Sequence, residues 1–317
     1  MVRRAVIPAA WGLDALLRSL PEKVSRAAGA FLSNVAYRPL GIRRRVVEEQ
    51  LAASFPGVDS TWIQETARGC YRHFGGELAT VLANPSRIER NLAKISDLDD
   101  AAGMLERAMT LDGGAVIVTG HIGNFWLAAA YAAWLGFPTT TIAQRQHSLT
   151  AISDRRFAAM QERMELEIVY RDSHSRRLIQ ALHDGRILVL VADQHTRRGS
   201  APVEFFGRPA WTTLGPARLC LGARVPLFLA VNLCDGEEYH FRFEKIHGGE
   251  VDDGETNQLA LTRRWVLALE RYVQDHPEQY FWFHRRWKGV RAAKAWTNEH
   301  LHAMVRDNLD QGSALRS

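Results

Sequence analysis

The chain has 317 residues, 46% hydrophobic and 24% charged, a globular composition that argues against a disordered or fibrous chain and is ample for a real core. Forty Lys and Arg against 35 Asp and Glu leave a net charge of +5, which suits an anionic membrane surface or an acidic partner and gives no ground for nucleic-acid binding. Three cysteines, Cys70, Cys220 and Cys234, show no CxxC spacing, which argues against a disulfide framework or a zinc site and for a reducing compartment. Nine Trp and 13 Phe are rings suited to interfaces that are apolar on one side and wet on the other.

The chain opens Met1-Val2-Arg3-Arg4, then runs apolar from Ala5 to Ala10, like a signal peptide; but Asp14 and Arg18 interrupt it and no small-x-small cleavage site follows. No window reaches the ~18 uninterrupted apolar residues of a spanning helix. Trp11, Leu13, Leu16, Leu17 and Leu20 share most of one helical face. Segment 1–35 is therefore expected to be an amphipathic, membrane-associating helical region, with an ordinary packed helix as the alternative. Apolar spacing predicts further helices over Leu40–Phe55 and Ser60–Leu82, punctuated by Pro39, Pro56 and Pro85, with Ser60 and Gln64 or Glu65 marking a helix start.

The rhythm changes at Ala115. Short apolar runs predict strands at Ala115–Thr119, Thr139–Ala143, Glu167–Tyr170, Ile187–Ala192, Pro226–Asn232 and Tyr239–Glu244. Helical patterns fall between them at Asn124–Leu135, about 148–164, Ser173–His183 and about 214–223, and Asn257–Gln274 follows. Strands alternating with helices predict an α/β domain over 36–295, with a mixed, partly parallel central sheet covered on both faces and a helical N-terminal region. Residues 296–317 read as a C-terminal helix and a polar tail.

His121 sits in Thr119-Gly120-His121-Ile122-Gly123-Asn124, where a predicted strand ends and a helix begins. Ligands of open α/β sheets collect there, and helix N–H groups face an anion or a developing oxyanion. Gly120 and Gly123 would let backbone approach a ligand, and the imidazole could take the proton of a substrate hydroxyl. A histidine that merely caps the helix is the plain alternative.

Gly120-His121-Ile122-Gly123-Asn124-Phe125 resembles the Gly-His-x-Gly-Asn-Trp signature of the bacterial lipid A biosynthesis (lauroyl/myristoyl) acyltransferases, a family that includes the phosphatidylinositol mannoside acyltransferases. Other blocks agree in order: Phe55-Pro56, Arg145, Asp193-Gln194, Phe205-Phe206-Gly207-Arg208-Pro209-Ala210 with Gly215-Pro216-Ala217, and Tyr280 to Lys288 with its Trp-Phe-His-Arg-Arg core. The resemblance covers roughly 40–290. It implies a glycerolipid acyltransferase-like fold and transfer of a fatty acyl chain from an acyl carrier protein or coenzyme A thioester to a hydroxyl of a lipid or glycolipid. It implies no metal or bound cofactor, and a peripheral place on the cytoplasmic face of the bacterial inner membrane.

The family places a carboxylate five residues after the His. Here that position is Trp126, and no acid lies between His121 and Gln144. Glu204, flanked by Val203, Phe205 and Phe206, is the expected replacement partner of His121, since the mannoside acyltransferases look acidic there too. Asp193, ending the 187–192 strand, is the second candidate, with a structural role as its alternative. Asn124 is expected to cap the helix or to meet a thioester oxygen, and Arg145 and Arg208 to bind substrate phosphate or polarise the thioester. His284, Arg285, Arg286 and Lys288 form a basic cluster fit for phosphate or head groups, or a solvated run beside core aromatics. Two rival functions remain. One is a lipid-binding paralogue that has lost catalysis at Trp126. The other, ranked last for want of a Gly-x-Ser-x-Gly elbow, is a thioester or ester hydrolase.

Overall fold

The computed structural model describes residues 20–83, 90, 92, 95–96, 98–143, 166–170, 176–236, 238–249 and 258–289. The segment before residue 20, the expected helix over 148–164 and the tail beyond 295 lie outside them.

Among the described residues three helices come first: α1 (Glu22–Tyr37), α2 (Arg44–Ser54) and α3 (Ser60–Ala83). The start of α3 is fixed by Asp59, whose side chain accepts the Trp62 N–H at 2.7 Å, rather than by Ser60 and a later acid. Helices α1 and α3 cross with their backbones nearly touching: a Cβ at Gly29 would lie 2.1 Å from the Gly75 carbonyl oxygen.

The α/β part contains β1 (Ile95–Ser96), α4 (Leu98–Arg107), β2 (Ala115–Thr119), α5 (Trp126–Trp134), β3 (Thr139–Ala143), β4 (Leu166–Tyr170), α6 (Arg176–His183) and β5 (Ile187–Val191). It continues through β6 (Ser200–Phe205), β7 (Arg208–Thr213), α7 (Gly215–Ala223), β8 (Leu227–Asp235), β9 (Glu238–His247) and α8 (Gln258–Asp275). Among the described residues seven strands form one sheet in the order β1-β9-β8-β2-β5-β3-β4, and β6 and β7 pair as a separate antiparallel hairpin. Within the sheet only β8 and β9 run antiparallel to each other. Alternating elements predict a mixed, partly parallel sheet, and the sheet is mixed and mostly parallel. The β6–β7 hairpin is an addition: its strands span the Phe-Phe-Gly block, which patterning alone left unassigned.

Side chains along the central strands divide by parity. Val116, Val118, Leu188, Leu190, Leu227 and Leu229 join one core cluster, while Ile117, Ile187, Val189, Phe228 and Ala230 join the other. That is the two-residue repeat of a sheet buried on both faces.

Candidate active site

Strands β2 and β5 lie side by side and parallel, with Thr119 paired to Val191 at their carboxyl ends. The Ala192 N–H extends the ladder to the Thr119 carbonyl at 3.0 Å. His121 and Asp193 each follow two residues after that last pair. Their side chains meet: His121 Nδ1 is 2.5 Å from Asp193 Oδ1, and the His121 backbone N–H donates to Asp193 Oδ2 at 3.0 Å.

Asp193 is 2% exposed, yet it remains an anion. Burial pushes its carboxyl up, but the charge and hydrogen bonds of His121, with the Arg286 charge behind them, outweigh this and hold it down to about 2. Tyr280 is buried beside them, and burial together with the Asp193 charge pushes its hydroxyl well up. Arg286 itself is buried, donating to the Trp211 carbonyl at 2.7 Å and to Thr212 Oγ1. The His121 side chain keeps 18% of its surface exposed, between the rings of Phe125 and Phe281. Its Nε2 lies 3.0 Å from Gln194 Nε2. In a neutral ring a carboxylate on Nδ1 favours the Nδ1–H tautomer with the lone pair on Nε2, an arrangement in which an imidazole can take a proton from a hydroxyl.

The turn that carries His121 is fastened throughout. The Gly123 N–H donates to the Gln279 carbonyl at 2.9 Å, the Asn124 N–H to the Asn232 carbonyl at 2.8 Å and the Leu127 N–H to the Asn124 carbonyl at 3.1 Å. Phe281 N–H donates back to the His121 carbonyl at 2.8 Å. The expectation that N–H groups of this turn await an oxyanion is therefore corrected for residues 121, 123, 124 and 127. Gly123 is also reassigned. It has φ +56°, and a Cβ there would lie 1.9 Å from the Asn232 carbonyl oxygen, so the glycine admits strand β8 rather than a ligand.

Asn124 is fully buried, and its amide donates to Glu77 Oε2 at 2.6 Å. Its side chain does not cap α5. Glu77 also holds Arg26 from α1 and accepts from the Tyr239 hydroxyl at 3.0 Å. Among the described residues, His73, Glu77 and Cys234 bring ligand atoms within 4.8 Å of one another. A guanidinium already bonded to the carboxylate makes this a poor cation site.

Glu204 is corrected outright. It is exposed on β6, opposite Pro209, and its charge bears on Glu270 of α8 rather than on His121. The flanking Val203 and Phe205 are buried because strand alternation turns them inward and Glu204 outward. Arg208 donates to Ser54 Oγ at 2.8 Å and stacks 3.5 Å over the Trp287 ring. These partners hold it against α2 and the C-terminal segment, not at the His121 ring. Burial lowers its guanidinium to about 10. Arg145 lies outside the described residues. In the basic cluster, Arg285 and Lys288 are exposed, Arg286 is buried, and His284 Nε2 accepts the His195 N–H at 3.0 Å.

Reading the sequence missed Gln194, Tyr280 and Glu77 as parts of the site. Glu77 had a visible signal: it continues the buried helical stripe Ala67, Cys70, Phe74, where an acid must have partners.

Fold and site together define an α/β protein with a histidine–aspartate pair at the carboxyl edge of its sheet. The sequence model of the bacterial lipid A biosynthesis acyltransferases matches residues 1–289, and the chain belongs to that family. A phosphatidylinositol mannoside acyltransferase of Mycolicibacterium smegmatis is 24% identical over 178 residues, covering 55% of this chain and 57% of the relative. One of Mycobacterium tuberculosis is 23% identical over 221 residues, covering 68% of this chain and 67% of the relative. The matched stretch thus spans little more than half the length of the first of these relatives.

Proposed function

We propose that the protein is a membrane-associated O-acyltransferase that moves a fatty acyl chain from an acyl carrier protein or coenzyme A thioester to a hydroxyl of a lipid A-like or other glycolipid acceptor. The His121–Asp193 contact carries this reading. His121 Nε2 takes the acceptor's proton while Asp193 holds the ring and stabilises the imidazolium. The alkoxide attacks the thioester carbonyl, the tetrahedral adduct collapses, and the imidazolium gives its proton to the departing thiolate. The reaction calls for no metal or bound cofactor, and the thioester is a co-substrate. The non-catalytic alternative stood on the missing acid after His121. Asp193 meets that need from the neighbouring strand, which favours catalysis.

A peripheral site on the cytoplasmic face of the inner membrane fits the surface of the N-terminal region. Phe31, Leu32, Leu40 and Ile42 are exposed, among exposed Arg38, Arg43 and Arg45. Apolar side chains within a basic fringe suit an anionic bilayer. The same loop is tied toward the site, since Arg43 donates to the Phe283 carbonyl at 3.0 Å. Among the described residues no helix is long and apolar enough to cross a membrane.

The experiment is acyl transfer from palmitoyl-coenzyme A and an acyl carrier protein thioester to a panel of mannosylated and glucosamine-based lipids. Transfer to a glycolipid that vanishes in His121→Ala supports the reading. Thioester hydrolysis without an acylated lipid overturns it.

A further inference from the structure

We propose that Gln194 is a catalytic residue: its side-chain amide covers the His121 base in the resting site, then moves aside to hydrogen-bond the thioester oxyanion. This rests on the acyl-transfer reading above.

In the neutral ring, with Nδ1 donating to Asp193, His121 Nε2 bears a lone pair, and the group 3.0 Å away is then a donor. The Gln194 amide N–H is that donor. An acceptor hydroxyl must come within about 2.6–3.2 Å of the same nitrogen to be deprotonated. The amide nitrogen and the hydroxyl oxygen therefore compete for one place, and one of the partners has to move. His121 cannot: Asp193 holds both its ring and its backbone N–H, and Phe281 N–H holds its carbonyl. The backbone around Gln194 is equally fixed, by the Asp193 carboxylate on one side and by the His195 N–H on His284 Nε2 on the other. What remains mobile is the half-buried Gln194 side chain, with its three rotatable bonds.

Displaced, the amide needs a new acceptor, because a donor left unbonded in a closing site is costly. The reaction creates one. As the acceptor O–H bond breaks and its proton goes to Nε2, the new C–O bond pushes the carbonyl electron pair onto oxygen, two bonds from the attacking atom. That oxyanion forms beside the place the amide has just left. The N–H groups of His121, Gly123 and Asn124 are already bonded and do not compete for it. When the adduct collapses, the pair returns to the carbonyl, the C–S bond breaks, and the thiolate takes the proton from the imidazolium. Gln194 neither gains nor loses a proton.

Two readouts test this: turnover, and the rate at which diethylpyrocarbonate modifies His121, followed by peptide mass spectrometry with His121→Ala as the blank. Gln194→Ala should lower kcat by on the order of 10²–10³, with KM for donor and acceptor moving by less than about threefold. The same change should speed carbethoxylation of His121 severalfold, because the lone pair is uncovered; a merely structural role would not do this. Gln194→Glu, equal in size but without the N–H, should be as slow as the alanine variant and serves if Gln194→Ala does not fold. Normal turnover in Gln194→Glu, or an unchanged carbethoxylation rate in Gln194→Ala, overturns the inference while His121→Ala stays inactive. Full turnover in His121→Ala would instead overturn the acyl-transfer mechanism beneath it.

Discussion

Asp193 grips His121 twice, one carboxylate oxygen on the ring Nδ1 and the other on the backbone N–H of the same residue. The two contacts fix the ring relative to its own main chain. Asp193→Asn replaces one acceptor oxygen by a donor and disturbs both. Steady-state acyl transfer should fall by on the order of 10²–10⁴ in His121→Ala, and comparably in Asp193→Asn through loss of the tautomer. Glu204→Gln, on the outer face of its hairpin, should keep wild-type turnover. A severe loss in Glu204→Gln with an active Asp193→Asn would reverse the assignment.

Glu77 is the charge that ties α1, β9 and the His121 turn together. Its side chain is 1% exposed, and that of Arg26 is 21% exposed. Glu77→Gln leaves the guanidinium without its anion, so urea unfolding should show a loss of about 3–5 kcal/mol. Combining it with Arg26→Met should cost less than the sum of the two single changes, since the second removes the charge the first strands.

Acid should weaken the fold before it discharges Asp193. Burial, opposed by Asp193 and helped by Arg286, His121 and His195, lowers His284 from 6.5 to about 4. A histidine held below its unfolded value takes up a proton on unfolding, so stability falls as the pH drops from 6.5 toward about 4. His73 and His195, also lowered by burial, act in the same direction. Thermal melts across that window should show a falling Tm. His284→Gln, which can still accept the His195 N–H, should flatten the slope.

The exposed apolar set on α1 and the following loop should govern lipid contact. Serine at Phe31, Leu32, Leu40 and Ile42 together should reduce co-flotation with phosphatidylglycerol vesicles while leaving the melting temperature near wild type, because these side chains are outside the core. High salt should weaken binding of the wild type through the neighbouring arginines. Flotation equal to wild type would place the membrane surface elsewhere.

The central strands were legible because Ala115–Thr119 and Ile187–Val191 are short, continuous apolar runs, and the structure places both where that pattern predicts. Only the relation between them was hidden. Nothing in the order of residues says that β2 and β5 are neighbours with β3 on the far side of β5, and that adjacency is what brings Asp193 to His121. Glu204 misled for the opposite reason: its apolar neighbours were read as a buried surrounding, whereas period-two alternation turns the acid away from them. Arg286 read as one member of a basic cluster fit for phosphate or head groups, or of a solvated run, and the buried Asp193 whose charge bears on it lies far away in sequence.

The ladder between β2 and β5 works as a gauge. Each member of the acid–base pair is rooted two steps past the rung formed by Thr119 and Val191, so the sheet sets the span between them. A slip of one rung would turn one partner to the opposite face and part them. Lengthening the excursions that follow either residue would leave the span alone. The helix start after the histidine is thereby relieved of bearing a charge.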